Sequence, residues 1–334
     1  MSVGGRLEVV RTTISDNSVS AGGAGIALFG GSGVVRDSII TRNRVFGGFG
    51  NISGGGIRVS SGATLGIYGS TVADNVVLGE IDDLIGFGGG IAIGLSTIVI
   101  ADSAVVRNIA GTDGAGAGGG IFNGGNLTIK NGTIGGNRAG TSGGGVFNQG
   151  SLKLQGVTVV DNEAAGLVMT TPTFDRSFPP ECTDQTPELC LAGGGGVWNE
   201  PAGRVVIAGS VVANNLATSN SDTFPTHLGP DCKGAFISQG HNAIGDDLDC
   251  VLKPAVKGTN THDLVNVDPR LAALADDGAA GNAHYPLRAG SPLIDAGDIV
   301  GPRCTFVDQL GQRRVDGDQE GNVSCDIGAI EFQH

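Results

Sequence analysis

Seven asparagines set the frame of this chain: Asn17, Asn43, Asn75, Asn108, Asn137, Asn162 and Asn215. Three residues before them stand Ile14, Ile40, Val72, Val105, Ile134, Val159 and Val212, every one β-branched. Eight before lie Val9, Val35, Ile67, Ile100, Ile129, Leu154 and Ile207, and ten before lie Leu7, Gly33, Leu65, Ile98, Leu127, Leu152 and Val205. Only Gly33 breaks these columns. Six before each asparagine comes Arg11, Asp37, Gly69, Asp102, Asn131, Gly156 or Gly209. All but Arg11 tolerate a left-handed backbone, so a tight turn is expected there.

The step of two between the last apolar columns reads as one strand, and the run up to the asparagine reads as another after the turn. Ahead of six of the asparagines come Ile26, Ile57, Ile91, Ile121, Val146 and Val197, each behind a glycine-rich run. Three short strands therefore recur in coils of about 25–33 residues, the repeat of a solenoid. Inward positions that align rung on rung predict an all-β fold, a single-stranded parallel β-helix whose strands pair with the next coil about 4.8 Å away. Stacked this way, the asparagines form a ladder whose amides bond along the axis. A leucine-rich repeat would need a helix or a leucine consensus, and a propeller would need four strands per unit. The outward position four before each asparagine (Thr13, Ile39, Thr71, Ala104, Thr133, Thr158, Val211) is too broken to order water as an ice-binding face does.

Composition agrees. Glycine is 61 of 334 residues, yet 40% of the chain is hydrophobic and only 4% aromatic, which suits thin stacked layers of Val, Ile, Leu and Ala. A net charge of −13, with lysine at only five positions, leaves no basic surface able to neutralise a phosphate backbone, so nucleic acid is excluded as a partner. No run of about 18 apolar residues predicts a membrane span. The first residues have no signal-peptide pattern. The chain opens almost directly into a repeat at Leu7, so the expectation is that an export signal and earlier coils precede it in the natural protein.

Six cysteines follow residue 181 and fall into neighbouring pairs: Cys182 with Cys190, Cys232 with Cys250, and Cys304 with Cys325. An even number in irregular regions reads as disulfides of an oxidising compartment. Zinc is the rival, but no C-x-x-C spacing is present. The connections after each asparagine vary most, and all leave from one corner. The longest, within 163–196, carries Phe174, Phe178 and the Cys182/Cys190 pair. The chain therefore divides into β-helix coils at 1–228, with that loop inserted, and terminal degenerate coils with a disulfide-bearing C-terminal cap at 229–334.

Repeats such as Gly-Gly-Gly-Ile-Phe-Asn followed by Leu-Thr-Ile resemble bacterial surface β-helix proteins, including polymorphic outer-membrane proteins. The C-terminal third is similar to the choice-of-anchor Q family: Gly229-Pro230-Asp231-Cys232, Gly240-His241-Asn242-Ala243-Ile244-Gly245-Asp246, Asp268-Pro269-Arg270-Leu271, Gly290-Ser291-Pro292-Leu293-Ile294-Asp295-Ala296-Gly297, Asp308-Gln309-Leu310-Gly311 and Cys325-Asp326-Ile327-Gly328-Ala329-Ile330-Glu331. The resemblance implies an exported, right-handed parallel β-helix at or released from a bacterial surface. It hands over no catalytic residues.

Strand alternation supplies the ligand-binding candidates. If Ile121, Val146 and Val197 face inward, Phe122, Phe147 and Trp198 face outward in one column, where rings could stack on sugars. The alternative is that the long loop buries them. Elimination chemistry on an acidic polysaccharide needs a basic residue, for which Arg58, Arg107 and Lys130 are candidates. Hydrolysis needs two carboxylates, and Glu80, Asp82, Asp83 and Asp113 sit in neighbouring loops. Solvated loop charges explain these acids equally well. The stretch Asp316-Gly317-Asp318-Gln319-Glu320-Gly321-Asn322 is the one place calcium is considered, and it lacks the full twelve-residue pattern. His241, His262 and His284 read as ordinary polar residues, and no nucleophile elbow is present. The sequence thus favours an extracellular or cell-surface scaffold or adhesin that binds a polysaccharide or cell-surface glycan. A polysaccharide lyase or glycoside hydrolase is the alternative.

Overall fold

The computed structural model describes residues 2–3, 5–47, 52–78, 86–111, 116–165, 193–218, 229–298, 304–314 and 324–333. Among these the protein is all β, and the strands pair in parallel with the coils before and after. One coil shows the plan. Val146–Asn148 is followed by Ser151–Val160, which bends at its middle, and then by Glu163–Ala164. Ile26, Ile57, Ile91, Ile121, Val146, Val197 and Cys232 pair in unbroken register, as do the inward positions from Leu7 through Leu65 and Leu152 to Phe236. These columns pack as one continuous apolar core. At Gly33 the missing side chain leaves room that Leu28 and Leu65 fill from the neighbouring strands.

The corners explain the sequence columns. All seven residues six before the asparagines have φ between 43° and 60°, Arg11 included. So do the residues immediately before the asparagines, at 53° to 63°: Asp16, Arg42, Asp74, Arg107, Gly136, Asp161 and Asn214. Each coil therefore turns twice through the left-handed region, once on each side of the β-branched residue. Four of the second-corner residues alternate in sign, and adjacent coils pair them: Arg42 with Asp16 and Arg107 with Asp74, both at 2.9 Å.

Between these corners the asparagines stack. Each Nδ2 donates to the Oδ1 of the next asparagine along the axis at 2.8–3.0 Å, from Asn17 to Asn215. The last rung is a carboxylate: Asp231 Oδ1 accepts from both the backbone N–H and Nδ2 of Asn215, at 2.8 and 2.9 Å. Its Oδ2 accepts from the Asp246 backbone N–H at 2.7 Å, so donors meet it from both sides and an acceptor-only group suits the position. A second ladder links Ser38, Ser70 and Ser103 through backbone N–H to Oγ bonds. Its counterpart further on runs from Ser210 to Asn242 and ends on Asp263. A third joins Asn123, Asn148 and Asn199 at 2.7 Å.

The third glycine of each run lies against this ladder. A Cβ on Gly120 would stand 2.7 Å from the carbonyl oxygen of Gly145 and 3.0 Å from the amide of Asn137. Neither neighbour can move without breaking the stack. Gly120→Ala is therefore expected to cost about 2–3 kcal/mol by forced repacking, read as a lower midpoint in denaturant unfolding. The same substitution at Gly62, where a Cβ meets nothing within 4 Å, separates crowding from the cost of its φ of 76°.

Two features differ from expectation. The two strands flanking the first corner belong to a single sheet, and in three coils they form continuous ten-residue strands. The extra strand of each coil is the two-residue segment after the asparagine, from Ser18–Val19 to Leu216–Ala217, forming a sheet of its own. Two residues are too few to show periodicity.

The C-terminal region is the second difference. Cys232–Ser238, Ala243–Ile244, Cys250–Pro254 and Leu264–Val265 continue the coils, and Cys232 is bridged to Cys250 with Cα atoms 5.3 Å apart. Beyond them the chain runs back along the flank as a strap. Gly281 N–H donates to Thr71 Oγ1 at 2.8 Å, Ala283 packs with Ala104, and the Tyr285 ring covers Gly135. Further on, Thr133 Oγ1 donates to Gln309 Oε1 at 2.6 Å, and Ala329 N–H donates to Thr158 Oγ1 at 3.0 Å. Cys304 and Cys325, bridged with Cα atoms 6.2 Å apart, lie in the strap. The outward column that looked too broken to order water is thus a set of hydroxyl and small-residue sockets for this segment.

Candidate functional site

The register places Arg58, Ala92, Phe122, Phe147, Trp198 and Lys233 in one outward column of the sheet that begins each coil. Phe87, on the short strand Gly86–Phe87, joins the column from its side. The rings make a ladder: Phe87 to Phe122 at 4.7 Å, Phe122 to Phe147 stacked at 5.6 Å, and Phe147 to Trp198 at 5.9 Å. Such offset pairs add about 0.5–1.5 kcal/mol each beyond their buried area. At the far end Lys233 Nζ sits 4.5 Å from the Trp198 ring centre.

The column points away from the core, but it is not an open stripe of rings. Phe147 is 5% exposed and Trp198 6%, while Phe87 and Phe122 remain half-buried. Any ring face available to a ligand therefore belongs to Phe87 and Phe122. Around Trp198 two titratable groups depart from ordinary behaviour. Burial pushes the Glu200 carboxyl up, opposed by the Lys233 charge and a hydrogen bond with Trp198. Burial pushes the Lys233 ammonium down, opposed by Asp249 and Glu200. An acid whose pKa is raised and a base whose pKa is lowered, beside an aromatic ladder, form a candidate constellation.

Glu200 and Lys233 carry no signal in the sequence, because 33 residues separate them and they lie in neighbouring coils. Register alone brings them to the end of the column. Of the other candidates, Arg58 lies over the Phe29 ring at 5.5 Å and belongs to the opposite end of the column. Arg107 is not a free base: it pairs with Asp74 and, from the strap, with Asp276 at 2.9 Å. Lys130 stands on the outer face of the long sheet, on a different strand from the rings. Asp82, Asp83 and Asp113, with Glu80, lie outside the described residues, as do Phe174, Phe178, Cys182, Cys190 and Asp316–Asn322. His241 stacks on His262 at 5.2 Å and meets the carbonyl of Ala296, so it anchors the strap. Among the described residues no three His, Cys, Asp or Glu side chains gather as a metal site.

A stacked solenoid of parallel strands with its asparagine ladder inside defines a class, the parallel β-helices. The family model for the right-handed beta helix region matches residues 5–175, and the chain belongs to that family. No curated protein and no solved structure matches the chain. No helix among the described residues is long and apolar enough to cross a membrane.

Proposed function

We propose that this protein is an extracellular or cell-surface β-helix scaffold of the bacterial choice-of-anchor Q type that binds glycans along the aromatic column. The observation that carries this reading is the ladder itself. Phe87 and Phe122 keep ring surface open on a column that the buried Phe147 and Trp198 hold in place at 5.6–5.9 Å spacing, which gives a sugar chain a short rigid apolar rail. The disulfides fit an oxidising compartment.

The test is binding to a panel of neutral and acidic polysaccharides. Phe122→Ala is expected to weaken the best ligand about 5- to 30-fold, the loss of one ring contact of about 1–2 kcal/mol. Because Phe122 also stacks on Phe87 and Phe147, the unfolding midpoint should fall as well, and binding is compared under conditions where both proteins are fully folded. Unchanged affinity would remove the rail from the account. A second reading, a polysaccharide lyase or glycoside hydrolase, is favoured only by the shifted protonation of Glu200 and Lys233. The same panel, read for unsaturated products and new reducing ends, decides it. Turnover abolished by Glu200→Gln with binding retained would replace the scaffold reading.

A further inference from the structure

Charge on the outer face of the long sheet is segregated from the rest of the molecule. The chain carries −13 overall, yet the outward positions of this face hold Arg6, Arg36, Lys130, Lys153, Arg204 and Lys253 against Glu8, with Asp37 and Asp102 at the corner beside them. Elsewhere in the coils Arg42 is neutralised by Asp16, Arg107 by Asp74 and Arg138 by Glu163, while Arg11, Arg44 and Arg58 have no ion pair among the described residues. On this face Arg36 lies over the Tyr68 ring at 5.0 Å, and among the described residues the other five basic side chains have no ion-pair partner.

One column of the same face is polar throughout. Ser32, Thr64, Thr97, Asn126 and Ser151 follow each other in register, one per coil, and Arg6 and Arg204 close the two ends. Six coil steps separate those arginines, a span of about 29 Å at the ordinary strand spacing. Lys130 and Lys153 lie one coil apart beside it. The strap covers the other half of this sheet and leaves these columns in solvent.

We infer that this face binds a linear acidic polysaccharide lying along the helix axis. The basic groups meet its carboxylates or sulfates, and the hydroxyl and amide column meets its sugar hydroxyls. A DNA duplex presents a charge about every 1.7 Å, far denser than one basic residue per coil or fewer. The face also offers no free ring for a base, since Tyr68 lies flat over Gly66 with Arg36 above it. A membrane would require large protruding apolar anchors, and among the described residues this face exposes only Val10 and Val251, at its opposite ends, while Val34 and Val99 are set within the sheet. This surface is separate from the aromatic column, and the inference does not rest on it.

The experiment measures binding of the full chain to hyaluronate, alginate and dextran sulfate, with uncharged dextran, a DNA duplex and phosphatidylserine vesicles as comparators. At least one acidic polysaccharide should bind, with affinity falling as salt rises. Lys130→Glu with Lys153→Glu should lower that affinity about tenfold, and Arg44→Glu, on the separate sheet of two-residue strands, should leave it unchanged. The milder Lys130→Ala with Lys153→Ala, at an unaltered unfolding midpoint, separates lost charge from lost folding. The inference is overturned if none of the three acidic polymers binds, if charge reversal leaves binding unchanged, or if DNA or vesicles bind as tightly.

Discussion

Asn137→Ala should be among the most damaging single substitutions in the coils, lowering stability by about 3–5 kcal/mol. Asn137 is 1% exposed and serves four groups. Its Oδ1 accepts from the backbone N–H and Nδ2 of Asn108 at 2.9 and 3.0 Å. Its Nδ2 donates to Asn162 Oδ1 and to the Val105 carbonyl, both at 2.9 Å. Alanine strands the Asn108 backbone donor and the Val105 acceptor where no water reaches them. It also opens a gap against Gly120. Thermal and denaturant unfolding measure the loss. Asn17→Ala, at the exposed end of the ladder, should cost less than half as much, because solvent can take over its partners. Equal losses at both positions would show that the ladder contributes through side-chain volume rather than through hydrogen bonds.

The second large effect concerns pH and resides in the strap. Asp326 is 3% exposed, and its carboxyl is pushed up to about 7, first by burial and then by the nearby charge of Glu331. Hydrogen bonds from the backbone N–H groups of Phe332 and Asp295 oppose the rise without cancelling it. Glu331 meanwhile accepts from Arg314 at 2.9 Å. Because the folded value lies above the unfolded one, the native state holds the proton more tightly. Stability should therefore fall as pH rises from about 4 to about 7 and level off above, by an amount on the order of 2–4 kcal/mol. The usual surface carboxylate, lowered by an ion pair, gives the opposite slope. Melting curves at pH 5 and pH 8 check the sign, and Asp326→Asn should flatten the difference. A midpoint that climbs between those values in the parent chain would contradict the assignment.

What could be read from the sequence were the parts that repeat. Val72, Val105 and Ile134 keep their place because every coil faces the same core, so counting back from an asparagine recovers the register. The second left-handed corner escaped notice because Asp16, Arg42 and Gly136 share a backbone conformation and no chemistry. The strap is invisible for a related reason: Gly281, Tyr285 and Gln309 occur once each, and their sockets, Thr71, Gly135 and Thr133, look like failures of a pattern. The aromatic column was legible as far as direction goes, since alternation turns Phe122 outward. Alternation says nothing of cover, so burial is an expected alternative in the sequence, and the fold shows Phe147 and Trp198 covered. Charge segregation on the long sheet hides in the same way, its members being a coil or more apart.

The strap also changes what kind of assembly this is. A bare solenoid frays from its ends one coil at a time, since each coil knows only its neighbours. Here Thr71 is held by Gly281 and Thr158 by Ala329, partners 210 and 171 residues later in the chain. Those bonds tie coils far apart along the axis into a single cooperative block. The order of assembly follows. The coils can stack as they are made, but the block closes only when the strap has been synthesised and laid along its flank, so loss of the strap would return the molecule to a loosely coupled array.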